Sequence, residues 1–314
     1  MKKLFVYSLA ICTALFVSCS KDSSSSDNNG GGNQITGKRI SEIYYSNVEQ
    51  SYFSNDNGQT WSYVGSTSTD NNLVRVWHWE HDKLTSVDYY YQDHLDGTDK
   101  LNYNNEGLVS EIVYYVDGEE SESVEFSYNG TAISKIKYFD HGTLESSYDV
   151  SYENDKPIRI TCTYMSENKT MSKHGKSFME NMFKTDEISS KDGILPYTEL
   201  AWIDNNMTKM YVFDSDLEYF VTYTYDNKNN PYYGRNSSTA LMLAWGSSYQ
   251  LSQNNALSET YNVYGDLYTV DYTYNYSDNY PTDYKYPYEN IYEYSVYLFK
   301  YTGETTYSYS YLPD

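Results

Sequence analysis

The residue with the clearest chemistry is Cys19. It closes the run Phe16-Val17-Ser18-Cys19, in which a small residue precedes a cysteine, the pattern of a lipobox whose thiol is acylated before cleavage. Lys2 and Lys3 supply a positive start, and Leu4 to Val17 is apolar apart from Tyr7, Ser8, Cys12 and Thr13. That stretch is too short for a spanning helix, which needs about 20 residues. Residues 1–18 are therefore expected to be a signal peptide and Cys19 the lipidated N-terminus. Residues 19–34 hold four consecutive serines and three consecutive glycines, and should form a flexible tether because they cannot bury apolar area. An N-terminus with two or three acyl chains anchors stably, so a membrane is the expected partner through the lipid.

Other groups suggest chemistry less firmly. His78 and His81 flank Trp79-Glu80, but residues three apart on a strand face opposite sides, and no third histidine is near. His94, His141 and His174 fall in turn or loop sequence without ligand spacing. No metal site is expected from the histidines. Asp204-Asn205-Asn206, Asp226-Asn227-Lys228-Asn229 and Ser277-Asp278-Asn279 offer oxygen ligands for calcium, although none keeps an EF-hand pattern and β-turns need the same residues. No other cofactor is implied. Cys162 has no accompanying Cys-His-Asn arrangement and reads as a packed strand residue. Among 44 acids, sequence cannot select the pair a glycoside hydrolase would need.

The aromatic residues are the remaining chemistry. There are 41 tyrosines, too many for a core alone, and they alternate as Tyr272, Tyr274, Tyr276 and again as Tyr307, Tyr309, Tyr311. Such ladders stabilise a sheet, and they also make platforms for sugar rings or peptide side chains. Trp202 and Trp245 lie at the two places where the regular pattern breaks, and are the candidate ligand-binding anchors. The net charge is −22, and becomes −24 once residues 1–18 take away two lysines and no acid. A chain this acidic repels phosphate backbones, which argues against nucleic acid as a partner.

These groups must be positioned by a repeat. Doublets of an apolar or aromatic residue and an aromatic one, two apart, end on Trp79, Tyr103, Tyr128 and Tyr152, so one unit is about 24 residues. Each anchor precedes a polar Asn/Asp/Gly cluster and then a second alternating run, which is the hairpin signal. Looser copies follow at Trp202, Tyr225 and Tyr274. Asp117-Gly118, Asn129-Gly130 and His141-Gly142 suit tight turns that need positive φ. The alternation fails over Met165–Pro196, where Ser177–Phe183 suits a short helix, and over Ser237–Trp245, where Thr239–Ala244 suits another.

Units such as Tyr223-Thr224-Tyr225-Asp226-Asn227 resemble the tyrosine–aspartate repeats of the Rhs/YD family. More closely, the chain resembles uncharacterised Bacteroidota lipoproteins that carry a domain of unknown function with a porin-like β fold. The resemblance implies a lipid-anchored protein of the outer membrane, on its periplasmic or cell-surface face, and supplies no catalytic residues. The expected fold is all-β: residues 35–314 form one antiparallel β-meander of hairpin repeats. It should be a rolled sheet or partly closed barrel of roughly 14–20 strands, with short helical insertions. A transmembrane porin is not expected, because no lipid-facing apolar band persists along the strands. The expected function is a non-enzymatic glycan- or protein-binding module of the envelope. The alternatives are a polysaccharide hydrolase with unidentified carboxylates and a structural envelope component.

Overall fold

The computed structural model describes residues 38–166, 172–183, 196–214, 217–263, 266–294 and 297–313. The expected signal peptide, Cys19 and the tether lie outside the described residues. Seventeen strands belong to one sheet. The first nine are β1 (Ile40–Ser54), β2 (Ser62–Glu80), β3 (Lys83–Tyr91), β4 (His94–Tyr103), β5 (Val109–Val116), β6 (Glu119–Asn129), β7 (Ala132–Asp140), β8 (Thr143–Glu153) and β9 (Lys156–Met165). Helix α1 (Lys173–Met182) precedes β10 (Tyr197–Ile203), β11 (Asn206–Asp214) and β12 (Leu217–Tyr225). Helix α2 (Asn236–Ala244) leads to β13 (Ala256–Val263), β14 (Asp266–Asp271), β15 (Thr273–Ser277), β16 (Tyr280–Tyr294) and β17 (Tyr297–Tyr311). The antiparallel meander and its helical insertions are as the repeat predicts.

The meander closes into a barrel because β1 pairs with both β2 and β17. β14 and β15 are two halves of one strand separated by Tyr272, the first bonded to β13 and the second to β16. Joined in this way, the strands round the barrel are even in number. That is what an antiparallel ring requires, since each strand must reverse its neighbour. The barrel is therefore nearly closed, with a seam beside Tyr272.

The 24-residue repeat corresponds to a bulge. At His78/Trp79, Asn102/Tyr103, Ser127/Tyr128 and Ser151/Tyr152 the register slips by one residue, and it slips again at Ala201/Trp202 and Thr224/Tyr225. The extra residue lies on the partner strand, as with Ser110 opposite Tyr103 or Thr208 opposite Trp202. Bulges bend and twist a strand, and this series, with a second at Tyr89/Tyr90, Tyr114/Tyr115 and Tyr138/Phe139, curls the sheet toward closure. In the last unit the bulge falls at Asn275/Tyr276, so Tyr276 takes the anchor position that the sequence pattern gives to Tyr274. Asp117-Gly118 (φ 52°, 83°) and His141-Gly142 (φ 45°, 76°) make the left-handed two-residue turns that sequence predicts.

Inside, the barrel is filled. On β7, Ile136 and Tyr138 are buried while Lys135 and Lys137 point outward, and the same alternation recurs on neighbouring strands. The second half of helix α2, Ala240 to Ala244, is apolar on every side, as an enclosed helix must be, and all five residues are at 0% exposure. Phe178, Met179 and Met182 of α1 join it, and Phe178 packs against Tyr138 and Tyr148. The Tyr138 hydroxyl donates to the Ala244 carbonyl at 3.0 Å, tying the plug to the wall. Cys162 is buried in this core, and burial pushes its thiol up to about 11, consistent with packing and not with nucleophilic chemistry. The outer wall carries ion pairs, including Lys135–Asp149, Lys137–Glu125 and Lys285–Glu304.

Candidate functional site

Among the described residues, chemistry-bearing side chains meet in several places, and two of these gather groups of opposite charge. One is inside the barrel, at the first turn of α1. Glu122 of β6 accepts the backbone N–H groups of Lys173 and His174 at 2.6 and 2.9 Å. Glu145 of β8 accepts the Ser172 N–H at 3.0 Å and its hydroxyl at 2.5 Å, while that hydroxyl caps Gly175 N–H. Carboxylates are favourable there because the first N–H groups of a helix lack intrahelical partners. The His174 ring sits between Glu122, 2.9 Å from Nδ1, and Asp99, 3.2 Å from Nε2. Burial opposes charge on the ring, but Asp99 and then Glu122 outweigh it and raise His174 from 6.5 to about 9. Glu122 is correspondingly lowered: burial opposes its charge, and His174 overcomes that. Glu145 is raised by burial. Tyr89 donates to Asp99 at 2.5 Å. This network docks α1 onto the wall: backbone donors occupy Glu122 and Glu145, while Tyr89 and His174 face Asp99. Sequence spacing places His174 without a partner, whereas the fold gives it acids 52 and 75 residues away.

The second place is a groove of about 690 Å³ on the outer wall, at the junction of β9, β10 and β11. Its origin is local. β9 and β10 share only Tyr197↔Thr161, Thr198↔Ile160 and Glu199↔Arg159. The ladder stops there because Ile158 is the bulged residue and Pro157 has no N–H to give. Leu200, Ala201, Tyr211 and Phe213 line the resulting gap, with Arg159 and Lys209 beside them. Arg159 is ion-paired with Glu199, and its guanidinium lies 4.1 Å from the centre of the Tyr197 ring. Tyr197 and Phe213 stack at 4.4 Å, and Tyr211 meets Phe213 at 4.3 Å. Lys209 stands 4.2 Å over Phe220. Ring faces, one planar ion pair and a lysine therefore converge on an open surface of small-ligand size.

Two solved structures are similar to this chain. A porin-like protein from Bacteroides uniformis ATCC 8492 is similar at a TM-score of 0.47 and 12% identity, over 87% of this chain and 98% of its own. One from Bacteroides vulgatus ATCC 8482 gives a TM-score of 0.31 at 10% identity, over 88% and 100%. No protein family and no curated protein matches the sequence.

The two tryptophans singled out by sequence lie apart. Trp202 is half-buried at the groove's end of β10, next to the lining residue Ala201, and its indole N–H donates to the Pro157 carbonyl at 2.7 Å. Trp245 caps α2 inside the barrel at 8% exposure, edge-on to Tyr89 and with the Arg75 guanidinium 5.0 Å from its ring centre. Arg159 and Glu199 were not legible as a pair, being 40 residues apart in sequence. The spacing Tyr211-x-Phe213 is a visible signal, since alternate aromatics share one face of a strand.

Proposed function

We propose that this chain is an envelope-anchored lipoprotein that binds a neutral glycan in the outer groove at β9–β11. The observation that carries the reading is the convergence of Tyr211 and Phe213 with the Arg159–Glu199 pair on an open surface, with Tyr197 stacked behind them. Aromatic faces take the C–H faces of sugar rings, and the planar guanidinium and carboxylate supply donors and acceptors for hydroxyls. A net charge of −22 disfavours polyanionic sugars, so a neutral oligosaccharide suits the site.

The address rests on the Cys19 lipobox. The wall supports a barrel that stands in water on its tether: a Lys or Arg facing lipid at mid-membrane costs about 2–4 kcal/mol, and the outer face carries several. The filled lumen argues against a conducting channel. A glycan array probed with the lipidated chain in detergent tests the reading. Retention of neutral oligosaccharides over uronate polymers is expected, and uniform silence across neutral glycans would overturn it.

A further inference from the structure

Among the described residues, the ring of strands also parts between β14 and β16. β14 bonds to β13 and β15 to β16, and no pair joins β14 to β16 among the described residues. From Pro287 to Tyr294, β16 therefore has a ladder partner on one side, β17. This run is eight residues of β16 and spans about 26 Å.

Two residues fix which backbone groups face the gap. The Tyr272 amide donates to the Leu257 carbonyl at 2.8 Å, toward β13. Alternation then turns the N–H and C=O groups of Leu267, Thr269 and Asp271 away from β13. On β16, Pro287 is opposite Glu304 but has no N–H, so that position is a non-hydrogen-bonded pair of the ladder. Pro287, Glu289, Ile291 and Glu293 consequently direct their backbone groups into the gap. Both edges are strand templates, and Pro287 blunts only one point of them.

The surroundings select an occupant. Leu267 and Tyr268 are 64% and 60% exposed, and Asp266 and Asp271 on the same strand are exposed. Glu289 flanks the other edge, ion-paired with Lys300 at 3.4 Å. A second copy of this chain would bring its own acids to these acids, and like charges facing one another across strands are unfavourable.

We propose that the gap accepts an extended strand from a partner polypeptide, added through main-chain hydrogen bonds, with apolar residues alternating with Lys or Arg. The full mature chain supplies the edge, and the incoming strand supplies the missing donors and acceptors.

The probe is a fluorescent nine-residue peptide alternating Val and Lys, with a Val–Glu peptide of equal length as its control. Anisotropy is expected to rise with the Val–Lys peptide alone. Ile291→Pro deletes one gap-facing N–H and no bond to β17, so it should weaken binding at least about tenfold with little change in melting temperature. A Val–Lys peptide N-methylated at alternate residues tests the same bonds on the unaltered protein, and should also lose binding. Equal binding of the methylated or the Val–Glu peptide would overturn the proposal. So would a dimer of the unaltered chain that Ile291→Pro abolishes, because a second copy would then fill the gap.

Discussion

The indole N–H of Trp202 reaches the carbonyl oxygen of Pro157 at 2.7 Å, across the point where β9 and β10 part. The same relationship recurs round the barrel. Tyr103 donates to Leu84, Tyr128 to Val109 and Tyr225 to Met207, each at 2.6 Å, and Trp79 donates to Ile40 at 2.7 Å. In the tyrosine cases, as at Pro157, the carbonyl belongs to the residue just before a bulged one, where the strand ladder has ended. The repeated aromatic thus supplies a bond that the bulge removed. That is why the position accepts Tyr or Trp, which carry a donor, and why the bulge and the aromatic share one period.

Removing the donor while keeping the ring isolates this bond. Tyr128→Phe and Trp202→Phe should each destabilise the barrel by about 1–3 kcal/mol, the cost of leaving a buried carbonyl unpaired. Urea unfolding followed by circular dichroism measures it. Equal stability of both variants would show that the anchors act through packing alone.

The imidazole between Asp99 and Glu122 makes stability depend on pH. His174 is raised from 6.5 to about 9 in the fold, so the native state binds its proton more tightly than the unfolded state. Its contribution is fully present below pH 6.5 and disappears as pH rises through 9, an effect on the order of 3 kcal/mol. Unfolding free energy should therefore fall between those values. His174→Asn should lower stability at pH 6 and flatten that slope. A slope unchanged by the substitution would remove His174 as its source.

Gly246 sets the distance between the two inner helices. Its φ is +73°, and an added Cβ would lie 2.9 Å from the Asn181 Cβ and 3.1 Å from the Phe178 backbone. Gly246→Ala combines a left-handed strain with overpacking, and should cost about 2–4 kcal/mol. Differential scanning calorimetry would show it as a lowered transition, whereas Gly118→Ala, at a turn with nothing within 4 Å, should cost less.

Much of the fold is legible because its causes are local. The anchors Trp79, Tyr103, Tyr128 and Tyr152 carry the period, and Asp117-Gly118 and His141-Gly142 carry the turns. What escapes is set by long-range closure. The Asp99–His174–Glu122 contacts depend on α1 entering the lumen, and helix periodicity does not say which wall a helix will meet. The change of partner at Tyr272 leaves no mark in a run of alternating tyrosines. The groove forms because Pro157 and the bulge at Ile158 coincide beside β10, a consequence of register that composition does not encode. For the same reason Trp202 and Trp245 look alike as sequence and occupy unlike places.

The most direct test of the glycan reading is isothermal titration of the oligosaccharide best retained on the array. It is run against the unaltered chain, Tyr211→Ala, and Tyr268→Ala as an exposed aromatic outside the groove. Truncating an aromatic at a binding hot spot costs at least about 2 kcal/mol, so Tyr211→Ala should weaken binding at least about thirtyfold. Its melting temperature should change little, because Tyr211 faces outward, and Tyr268→Ala should bind as the unaltered chain does. An unchanged Kd for Tyr211→Ala would contradict the assignment of the groove as the glycan site.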